Sequence, residues 1–433
     1  MDEKLRGKLV DVLGKRLNRQ LLYYLDICAR CSICKDACHQ YTTTKDVQYL
    51  PAHRAELLRR VYKTYFGWAS KLVPALYEGK QIDDDFLDEL YKATYSCTGC
   101  RRCMVYCPYG IDTTQILAVA KEILLAAGKG PELLAMLADV AIEKGENIDL
   151  FKEAIIATLQ ETEKELQEKV GDPKASIPID KEGADILYVA LAGTHTIIPA
   201  AIVFHLAGVD WTLSMFEAAN YGYFLGDVAK AKAIAQRIVD EAKRLHVKGV
   251  VLAECGHAYR VMKVLQEVWA QEKYPFEVSS ILQVVARYVE EGRIKVDPSR
   301  IQGSVTYHDP CQIGRNGGIF EEPRNVLRHI CSDFREMTPN RERNWCCGGG
   351  GGLVAQPDLE EFRMRTGERK AHQIRQTEAE IVVSPCENCR LQIEGLNERY
   401  GLGVRVSSLM DVLVQALGPV VTPVSDLVPV EVG

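Results

Sequence analysis

The segment CTGCRRCMVYCP at residues 97–108 decides the fold of the N-terminal part of this chain. Its cysteines, spaced C-x2-C-x2-C-x3-C, are Cys97, Cys100, Cys103 and Cys107. Two residues between thiols let one turn of backbone aim successive sulfurs at one inorganic core, and this spacing is that of [4Fe–4S] cubane ligands. A second run with the same spacing, CARCSICKDAC, fills residues 28–38; its cysteines are Cys28, Cys31, Cys34 and Cys38. Two such runs predict two cubane clusters.

Two other uses of closely spaced cysteines fit this chain less well. Disulfide scaffolds belong to short secreted chains, whereas this chain has 433 residues, and residues 1–20 carry charges instead of the apolar core of a signal peptide. Structural zinc favours two separated C-x2-C pairs, but each run here packs four thiols into eleven residues. Because thiolate-bound clusters need a reducing compartment, the cysteine usage predicts a cytoplasmic protein.

The overall composition excludes several classes of function. A net charge of -6 argues against a nucleic-acid partner, which would need a basic surface. The longest apolar stretch, residues 197–209, is shorter than the ~18 residues of a membrane span and contains His205. Neither a G-x-G-x-x-G nor a G-x-x-x-x-G-K-[ST] motif occurs, so we expect no flavin or nucleotide in this chain. A peripheral position on the inner face of a membrane, through a partner, stays open.

Residues 1–172 show apolar residues at helical spacing almost throughout. The spacer between the two cysteine runs has this period as well, whereas a compact ferredoxin has a shorter spacer that contains strands. We therefore predict an all-helical ferredoxin domain with two clusters over residues 1–172. In two-cluster ferredoxins the fourth cysteine of each run binds the other cluster. The expected ligand sets are Cys28, Cys31, Cys34 and Cys107 for one cluster, and Cys97, Cys100, Cys103 and Cys38 for the other.

His39, Arg101 and Arg102 are charged or titratable residues beside these ligands. His39 follows the first run where the second run has Pro108, and it either donates a hydrogen bond to a cluster sulfur or is an ordinary neighbour. Arg101 and Arg102 lie between ligands of the second run. They raise the potential of that cluster if they face it, and a solvated position is equally compatible with the sequence.

Beyond a linker at residues 171–183, which contains Gly171, Pro173 and Pro178, strands and helices alternate. The expected strands are 185–191, 211–215, 247–253, 304–307, 334–337 and 380–383, and the expected helices are 197–206, 228–245, one from about 258, 324–331 and 359–376. The order repeats, which predicts an α/β region of two pseudo-repeats, residues 184–300 and 301–417. The tail, residues 418–433, is expected to be extended.

Six cysteines directly follow these predicted strands. They are Cys255, Cys311, Cys346, Cys347, Cys386 and Cys389. In open α/β sheets, ligands bind beyond the carboxyl ends of the strands, so we expect these thiols to meet at one site. His308 precedes Cys311 in the same loop, where a hydrogen bond to the loop is favoured over catalysis. Cys331 lies inside a predicted amphipathic helix and is expected in the core.

The second repeat contains the pattern C-x34-CCG-x37-C-x2-C, formed by Cys311, Cys346, Cys347, Cys386 and Cys389. This pattern resembles the CCG-domain signature of heterodisulfide reductase catalytic subunits. With the helical ferredoxin in front of it, the chain is similar over nearly its whole length to the D-type subunit of that family. It also resembles the DsrK- and HmcF-like subunits, in which the two parts are fused in the same way.

The resemblance implies a noncubane [4Fe–4S] cluster held by these five thiolates. It also implies that the glycine run 348–352, which begins with Gly348 and Gly349, lets the backbone approach the cluster and points amides at its sulfurs. A flexible loop is the alternative for the glycine run. Zinc is the alternative for Cys386 and Cys389, and it leaves the other three cysteines unexplained.

The first repeat departs from the signature. Asn220-Tyr221-Gly222 stands where the second repeat has Cys-Cys-Gly, and Cys255-Gly256-His257-Ala258 stands where it has C-x2-C. Residues 193–195, which correspond to Cys311, contain no cysteine. We therefore predict three clusters rather than four. Cys255 is then free for one of three roles. It forms a mixed disulfide with a substrate thiol, for which His257 would lower its pKa; or it is a further residue near the cluster; or it is a remnant of a lost cluster site.

The resemblance implies an iron–sulfur oxidoreductase subunit. Electrons would pass through two cubanes to the noncubane cluster, where a disulfide or heterodisulfide is reduced or formed. The alternative is a pure electron-transfer subunit that links a flavin dehydrogenase, or a membrane cytochrome b and the quinone pool, to a partner. The expected partners are accordingly a flavoprotein or a membrane cytochrome b subunit, together with a small thiol or disulfide or a thiol-carrying protein.

Overall fold

The computed structural model describes residues 1–77, 82–143, 147–190, 194–214 and 220–417, with the side chains of 147–156 and 194 left aside. The predicted extended tail at 418–433 lies outside the described residues. The N-terminal region is helical, as its apolar spacing predicts. Its helices are α1 (Glu3–Arg16), α2 (Arg19–Asp26), α3 (Cys34–Ala37), α4 (His39–Thr44), α5 (Pro51–Tyr65), α6 (Trp68–Leu72), α7 (Asp84–Tyr95), α8 (Arg102–Tyr106), α9 (Thr113–Ala126), α10 (Glu132–Glu143) and α11 (Asn147–Val170).

The N-terminal helices start at side-chain caps and pack around α9. Aspartate or asparagine side chains accept backbone N–H groups at the starts of α1, α2, α7 and α9, which satisfies donors that the helix itself leaves free. These caps are Asp2, Asn18, Asp83 and Asp112. Helix α9 contacts α1, α5 and α7. Its buried face, which includes Ile116 and Leu124, forms the centre of this core with Leu9, Leu58 and Leu90.

Two parallel four-stranded sheets follow within the described residues. The first contains β1 (Ile186–Val189), β2 (Trp211–Ser214), β3 (Gly249–Leu252) and β4 (Glu277–Ser280) in the order β2-β1-β3-β4. The second contains β5 (Val305–Tyr307), β6 (Phe334–Glu336), β7 (Ile381–Val383) and β8 (Arg405–Ser407) in the order β6-β5-β7-β8. The shared order confirms the predicted α/β fold with an internal repeat.

Helices connect the strands in both sheets. In the first unit, which comprises β1 to β4, they are α12 (Ile197–Leu206), α13 (Asn220–Leu225), α14 (Val228–Arg244), α15 (Gly256–Arg260), a π-helical turn (Val261–Leu265), α16 (Gln266–Ala270) and α17 (Ile281–Glu290). In the second unit, which comprises β5 to β8, they are α18 (Glu321–Ile330), α19 (Glu360–Thr366), α20 (Glu368–Arg375), α21 (Glu387–Tyr400) and α22 (Leu409–Ala416).

Sequence periodicity missed one edge strand of each sheet, β4 and β8, and it predicted one helix over 359–376 where the chain forms α19 and α20. Each missed strand is only three or four residues long and lies at the edge of its sheet. In β4 the sequence is EVSS, and Val278 is its one large apolar residue. The α19–α20 break falls at Gly367, where an added Cβ would lie 2.6 Å from Leu396 Cδ2. In β8 the sequence is RVS, and Val406 is likewise its one large apolar residue, so neither missed strand contains an alternation to recognise.

One apolar core runs through both units. Helix α17 of the first unit packs against α18 of the second, and α12 packs against α22. Helix α12 is the apolar stretch that the sequence places in the interior, and its residues from Ile197 to Phe204 are all buried. The core does not divide near residue 300, so it does not test the predicted boundary between the two units.

Candidate metal centres

The eight cysteines of the N-terminal region form two groups. In the first group Cys34 lies beside Cys28, Cys31 and Cys107, around a small cavity of about 40 Å³ that Ile33 and Tyr109 also line. Burial, with a smaller contribution from the neighbouring thiols, raises the pKa of Cys34 to about 11. Thiols placed in this way become thiolates only when a metal compensates their charge.

The second group places Cys103 beside Cys100, Cys97 and Cys38. Burial, followed by these neighbouring sulfurs, raises the pKa of Cys103 well above its ordinary value. Each group therefore draws three cysteines from one run and the fourth from the other run. This is the same set of sulfurs that the crossing of two-cluster ferredoxins pairs.

Both runs bend at the same two positions. The second residue after the first cysteine has a positive φ in each run, at Arg30 (55°) and Gly99 (66°). The residue after the second cysteine does so as well, at Ser32 (61°) and Arg101 (61°). A positive φ costs a residue with a side chain of the order of 1 kcal/mol, so these loops need compensation from their surroundings. A loop that wraps around one central cluster requires these positive φ angles.

The third group lies at the carboxyl ends of β5 and β7. Its cysteines are all buried and are Cys311, Cys346, Cys347, Cys386 and Cys389. Cys347 Sγ lies 3.3 Å from Cys389 Sγ, and the Gly349 amide donates to Cys347 Sγ at 3.4 Å. Cys311 contacts Cys346, and Cys386 contacts Cys389. Five converging soft ligands fit an iron–sulfur centre by their chemistry, and the Gly349 amide supplies the kind of N–H that supports one.

The glycine run 348–352 contacts two different parts of the molecule. Gly348, with a φ of 106°, and Gly349 lie beside the third group, where an added Cβ on Gly349 would come within 2.7 Å of Asn388 O. Gly350 and Gly351 face the second ferredoxin run instead. A Cβ on Gly351, whose φ is 71°, would lie 2.5 Å from the Cys97 carbonyl oxygen. The expected approach to the cluster therefore applies to the start of the run, and its middle lets the two domains come into contact.

That domain contact brings the second and third groups together. Cys100 Sγ, Cys346 Sγ and one ring nitrogen of His39 all lie within 4.8 Å of one another. Thr98 Oγ1 is 3.5 Å from Cys346 Sγ, and Arg315 donates to the Cys100 carbonyl oxygen at 2.7 Å. His39 is 2% exposed, and its Nε2 has no protein partner. Of the two alternatives for His39, this geometry supports the hydrogen bond to a cluster sulfur.

The two arginines of the second run are engaged by protein groups. Arg101 pairs with the buried Asp112 through its Nε at 2.8 Å. Arg102 stacks on the Trp345 ring, with its guanidinium carbon 3.4 Å from the ring centroid, and donates to the Ala37 carbonyl oxygen at 2.9 Å. Arg102 therefore ties the ferredoxin run to the second unit, and neither arginine is the solvated side chain that the sequence allowed.

Cys255 and Cys386 line one cavity of about 260 Å³ between the two units. Each follows its strand by three residues, Cys255 after β3 and Cys386 after β7. Asn220 Nδ2 lies 3.6 Å from Cys255 Sγ. Burial, followed by the nearby Cys386, raises the pKa of Cys255 to about 12. The first unit thus presents its one thiol to the edge of the third group, in the protonated form.

The ring of His257 is not placed beside Cys255, although the backbone N–H of His257 lowers the pKa of that thiol. The ring packs edge-on against Phe224, with centroids 4.7 Å apart, and lines a different cavity of about 290 Å³. Burial, assisted by the nearby charges of Arg260 and Lys121, lowers the pKa of His257 to about 3. A neutral imidazole that faces another cavity cannot stabilise the Cys255 thiolate.

Sequence reasoning missed the ion pairs that surround the Cys255 cavity. Glu254 Oε2 accepts from Arg390 at 3.3 Å, and its Oε1 accepts from the Leu409 backbone N–H at 2.9 Å. Burial raises the pKa of Glu254 to about 7, although Arg390 opposes this shift. Glu254 precedes Cys255 and Arg390 follows Cys389. Adjacency to cysteines at strand ends was the one sequence signal for them.

The fold and the three cysteine groups define an iron–sulfur protein that transfers electrons. A family model described as a 4Fe-4S dicluster domain matches residues 24–111, and one described as a cysteine-rich domain, CCG, matches residues 305–394. Over 94% of its length the chain is 30% identical to the Hdr-like menaquinol oxidoreductase iron-sulfur subunit 2 of Archaeoglobus fulgidus, and it covers 82% of that protein. The chain belongs to this family of heterodisulfide reductase-like iron–sulfur subunits, as the sequence resemblance predicts.

Two further relatives show the breadth of the family. Over 93% of its length the chain is 27% identical to the D-type subunit of the dihydromethanophenazine:CoB–CoM heterodisulfide reductase of Methanosarcina barkeri, covering 97% of it. Over 85% it is 25% identical to the EtfAB:quinone oxidoreductase of Syntrophomonas wolfei, covering 54% of it. Within the described residues, no helix has the length and apolarity needed to cross a membrane.

Proposed function

We propose that this chain passes electrons through two cubane [4Fe–4S] clusters to a noncubane [4Fe–4S] cluster, beside which a disulfide is reduced or formed. The three ligand sets are Cys28, Cys31, Cys34 and Cys107; Cys97, Cys100, Cys103 and Cys38; and Cys311, Cys346, Cys347, Cys386 and Cys389. The observation that carries the proposal is the cavity shared by Cys255 and Cys386. It places a free thiol beside the third group, in a space large enough for a small thiol or disulfide.

The proposed electron route follows the exposure of the three groups. Cys31 is exposed, whereas all five cysteines of the third group are buried. The second group lies between them. It shares its cysteine runs with the first group, since Cys107 of the second run joins the first group and Cys38 of the first run joins the second, and its Cys100 lies beside Cys346 of the third group. Electrons therefore enter or leave through the first cluster and reach the third through the second.

A redox partner is proposed to dock at the first cluster. Ile33 and Tyr109 line that site and are 45% and 42% exposed, so a partner that docks here would cover two apolar side chains next to the cluster. Relatives named as menaquinol and EtfAB:quinone oxidoreductases support a partner subunit that handles a quinone or a flavin. We propose a flavoprotein or a membrane cytochrome b subunit for this role, which places the chain at the inner face of a membrane through its partner.

The proposed chemistry uses Cys255 as the thiol that exchanges with substrate. Its sulfur attacks one sulfur of R–S–S–R′, the proton of Cys255 leaves with R′–SH, and a mixed disulfide remains on Cys255. Two electrons and two protons then cleave the mixed disulfide to R–SH and the Cys255 thiol. The third cluster, when bound, supplies those electrons one at a time. Glu254 lines the same cavity, and its pKa of about 7 suits it to transfer one of the protons.

The test is electron paramagnetic resonance of the anaerobically prepared, oxidised protein, titrated with small disulfides. We expect a signal from the third cluster that changes on addition of a disulfide. The change should disappear in Cys255→Ser and persist in Cys331→Ser, which removes a buried thiol from the core away from the cavity. A response that survives in Cys255→Ser would contradict the role of this thiol.

The second candidate is a pure electron-transfer subunit with no small substrate of its own. The observation that favours it is the Cys255 thiol itself, whose raised pKa keeps it protonated and a poor nucleophile at pH 7. On this alternative, the third cluster is reduced and oxidised by partners, and its signal does not respond to any disulfide. The same titration therefore separates the two candidates.

A further inference from the structure

A buried chain of three side chains leads from the core of the second unit to the third cysteine group. His308, directly after β5, is 1% exposed, and one of its ring nitrogens lies within 4.8 Å of Cys347 Sγ and Cys389 Sγ. His308 Nδ1 lies 3.3 Å from Asn344 Nδ2. Asn344 Oδ1 in turn lies 2.9 Å from Lys370 Nζ. Both Asn344 and Lys370 are buried.

The contacts of Asn344 fix the direction of its amide. Its Nδ2 lies 3.0 Å from the Asp309 carbonyl oxygen, which can only accept, and its Oδ1 faces Lys370. The amide nitrogen therefore points toward His308, and His308 Nδ1 must accept a hydrogen from it. A nitrogen that accepts carries no proton, so the proton of the imidazole is on Nε2. The tautomer of His308 follows from hydrogen-bond accounting alone.

His308 Nε2 has no protein partner although it is buried. A buried N–H without an acceptor costs of the order of 1–3 kcal/mol, so a site this well packed should provide one. Because Nδ1 is held by Asn344, Nε2 is the nitrogen available to the nearby sulfurs of Cys347 and Cys389. Sulfur atoms of a bound cluster, which carry negative charge, would be suitable acceptors.

Lys370 is the last of the three side chains, at the end remote from the cysteines. It is fully buried, and its Nζ contacts neutral groups: Asn344 Oδ1, Gln373 Oε1, and Met337 Sδ at 3.5 Å. The nearby carboxylate of Asp309 is held by the guanidinium of Arg324 through two bonds of 2.7 and 2.8 Å. Burial lowers the pKa of Lys370, and the strongest opposing influence is Cys347 of the third group, ahead of Asp309.

The first unit supports a role tied to the metal centre rather than to the fold. By strand position, Ala190 after β1 corresponds to His308 after β5. The first unit forms the same sheet without a histidine there and without the set of cysteines. His308 is therefore dispensable for the sheet and occurs where the cysteines occur.

We propose that His308 donates its Nε2–H to a sulfur of the third cluster, and that Asn344 and Lys370 hold His308 in the tautomer that can do so. A hydrogen bond to sulfur stabilises the reduced state, which carries more negative charge, and raises the reduction potential of the centre. The three residues act on the reduction potential of that cluster and do not contact the substrate. The inference rests on the proposed third cluster and adds the groups that set its potential.

The test is a potentiometric titration of the holoprotein, with the signals of the three clusters followed separately. His308→Phe keeps a ring and removes the donor. Asn344→Asp replaces the amide nitrogen by an oxygen and so draws the imidazole proton to Nδ1, away from the sulfur. Both variants should shift the potential of the third cluster downward and leave both cubanes unchanged. Lys370→Met should shift it in the same direction, whereas Thr377→Val, just beyond the end of α20, should not.

A measurement on the unaltered protein keeps the proposal testable if a variant fails to assemble. In electron–nuclear double resonance, the third cluster should show a strongly coupled proton that exchanges in deuterium oxide, together with coupling to histidine nitrogen in ¹⁵N-histidine-labelled protein. Both couplings should persist in His39→Phe, which removes the histidine beside Cys346. An intact third-cluster signal without these couplings, or with a potential unmoved in His308→Phe, overturns this inference and leaves the proposed function in place. Protein that binds no third cluster overturns both.

Discussion

The two α/β units have the same strand order, but only the second retains the full set of cysteines at its strand ends. Cys255 and Cys386 occupy matching positions, three residues after β3 and β7, and they line one cavity. The matching loop of the first unit has Asn220 and Tyr221 in place of Cys346 and Cys347. The sheet therefore forms without a metal centre, and the core residues rather than the ligands determine its fold.

The units differ again in the polar groups behind their strand ends. The second unit buries Arg324 completely, with Asp309 and Glu336 as its ion-pair partners at 2.7 Å each. It also buries His308, where the first unit has Ala190. Buried charges are costly unless they are paired, so natural folds keep them where they serve a purpose. The first unit also buries a charged group at a strand end, Glu254 after β3, so the polar support that is specific to the second unit is His308 together with the Arg324 ion pairs.

The largest expected effect comes from removing a ligand in the second unit. Cys347→Ser should lower the iron content from ~12 to ~8 atoms per chain, because a four-iron cluster is lost. Cys255→Ser, at the cavity edge contributed by the first unit, should leave the iron content unchanged. Iron and acid-labile sulfide analysis of both variants decides this. Equal iron loss in the two variants would show that Cys255 is a ligand.

The next effect concerns how each unit contacts the ferredoxin domain. Gly351→Val would place a side chain against the Cys97 carbonyl oxygen, and overpacking of this kind costs about 1–3 kcal/mol. We expect the second and third clusters to separate and electron transfer between them to slow, as measured by rapid-mixing spectroscopy. Tyr95→Phe removes the 2.9 Å bond to Leu225 O in the first unit and should cost about 1 kcal/mol without slowing transfer. An unchanged rate in Gly351→Val would place the electron route elsewhere.

A smaller effect concerns Glu254, which joins the end of β3 to the start of α22 in the second unit. Burial raises the pKa of Glu254 from its ordinary 4.5 to about 7, although Arg390 opposes this, and Asp411 adds to the rise. A raised carboxyl pKa contributes stability that is present below pH 4.5 and is lost as the pH rises through 7. Thermal unfolding between pH 5 and 8 should show this loss in the parent protein and a flatter profile in Glu254→Gln. Parallel profiles would mean that Glu254 is ionised throughout.

In the last comparison we expect the iron content to stay the same. Replacing Asn220 and Tyr221 with cysteines rebuilds the Cys-Cys-Gly sequence of the first unit. The counterpart of Cys311 is still missing, and Ala258 stands where the second unit has Cys389. We therefore expect no additional iron in this double variant. A gain of ~4 iron atoms would show that the first unit retains the geometry of a cluster site.

The parts of the molecule that depend on local spacing were predictable from sequence. The helical ferredoxin region, the parallel strands and the arrival of the CCG cysteines beyond them follow from periodicity and from the rule that ligands gather at carboxyl ends of strands. The short edge strands were missed because β8 has three residues and β4 has one large apolar residue. Neither offers enough alternation to stand out.

The parts that depend on how the domains pack were not predictable in the same way. The contact of Cys100 with Cys346 joins positions 246 apart in the sequence, and nothing in either run specifies it. Gly351 looked like a cluster-facing glycine because its run follows Cys347, yet it faces Cys97. His257 looked like a partner of Cys255 because it is two residues away. On α15 it points into another cavity.

The gradient of exposure along the three cysteine groups has a consequence for how this protein meets dioxygen. Cys31 lies at the surface, while the five cysteines of the third group are enclosed. Oxidants that diffuse from solvent reach the first cluster well before the third. Damage in air should therefore disconnect the chain from its redox partner while leaving the innermost centre chemically intact. A protein inactivated in this way needs one cluster rebuilt at its surface to recover, without unfolding the α/β region.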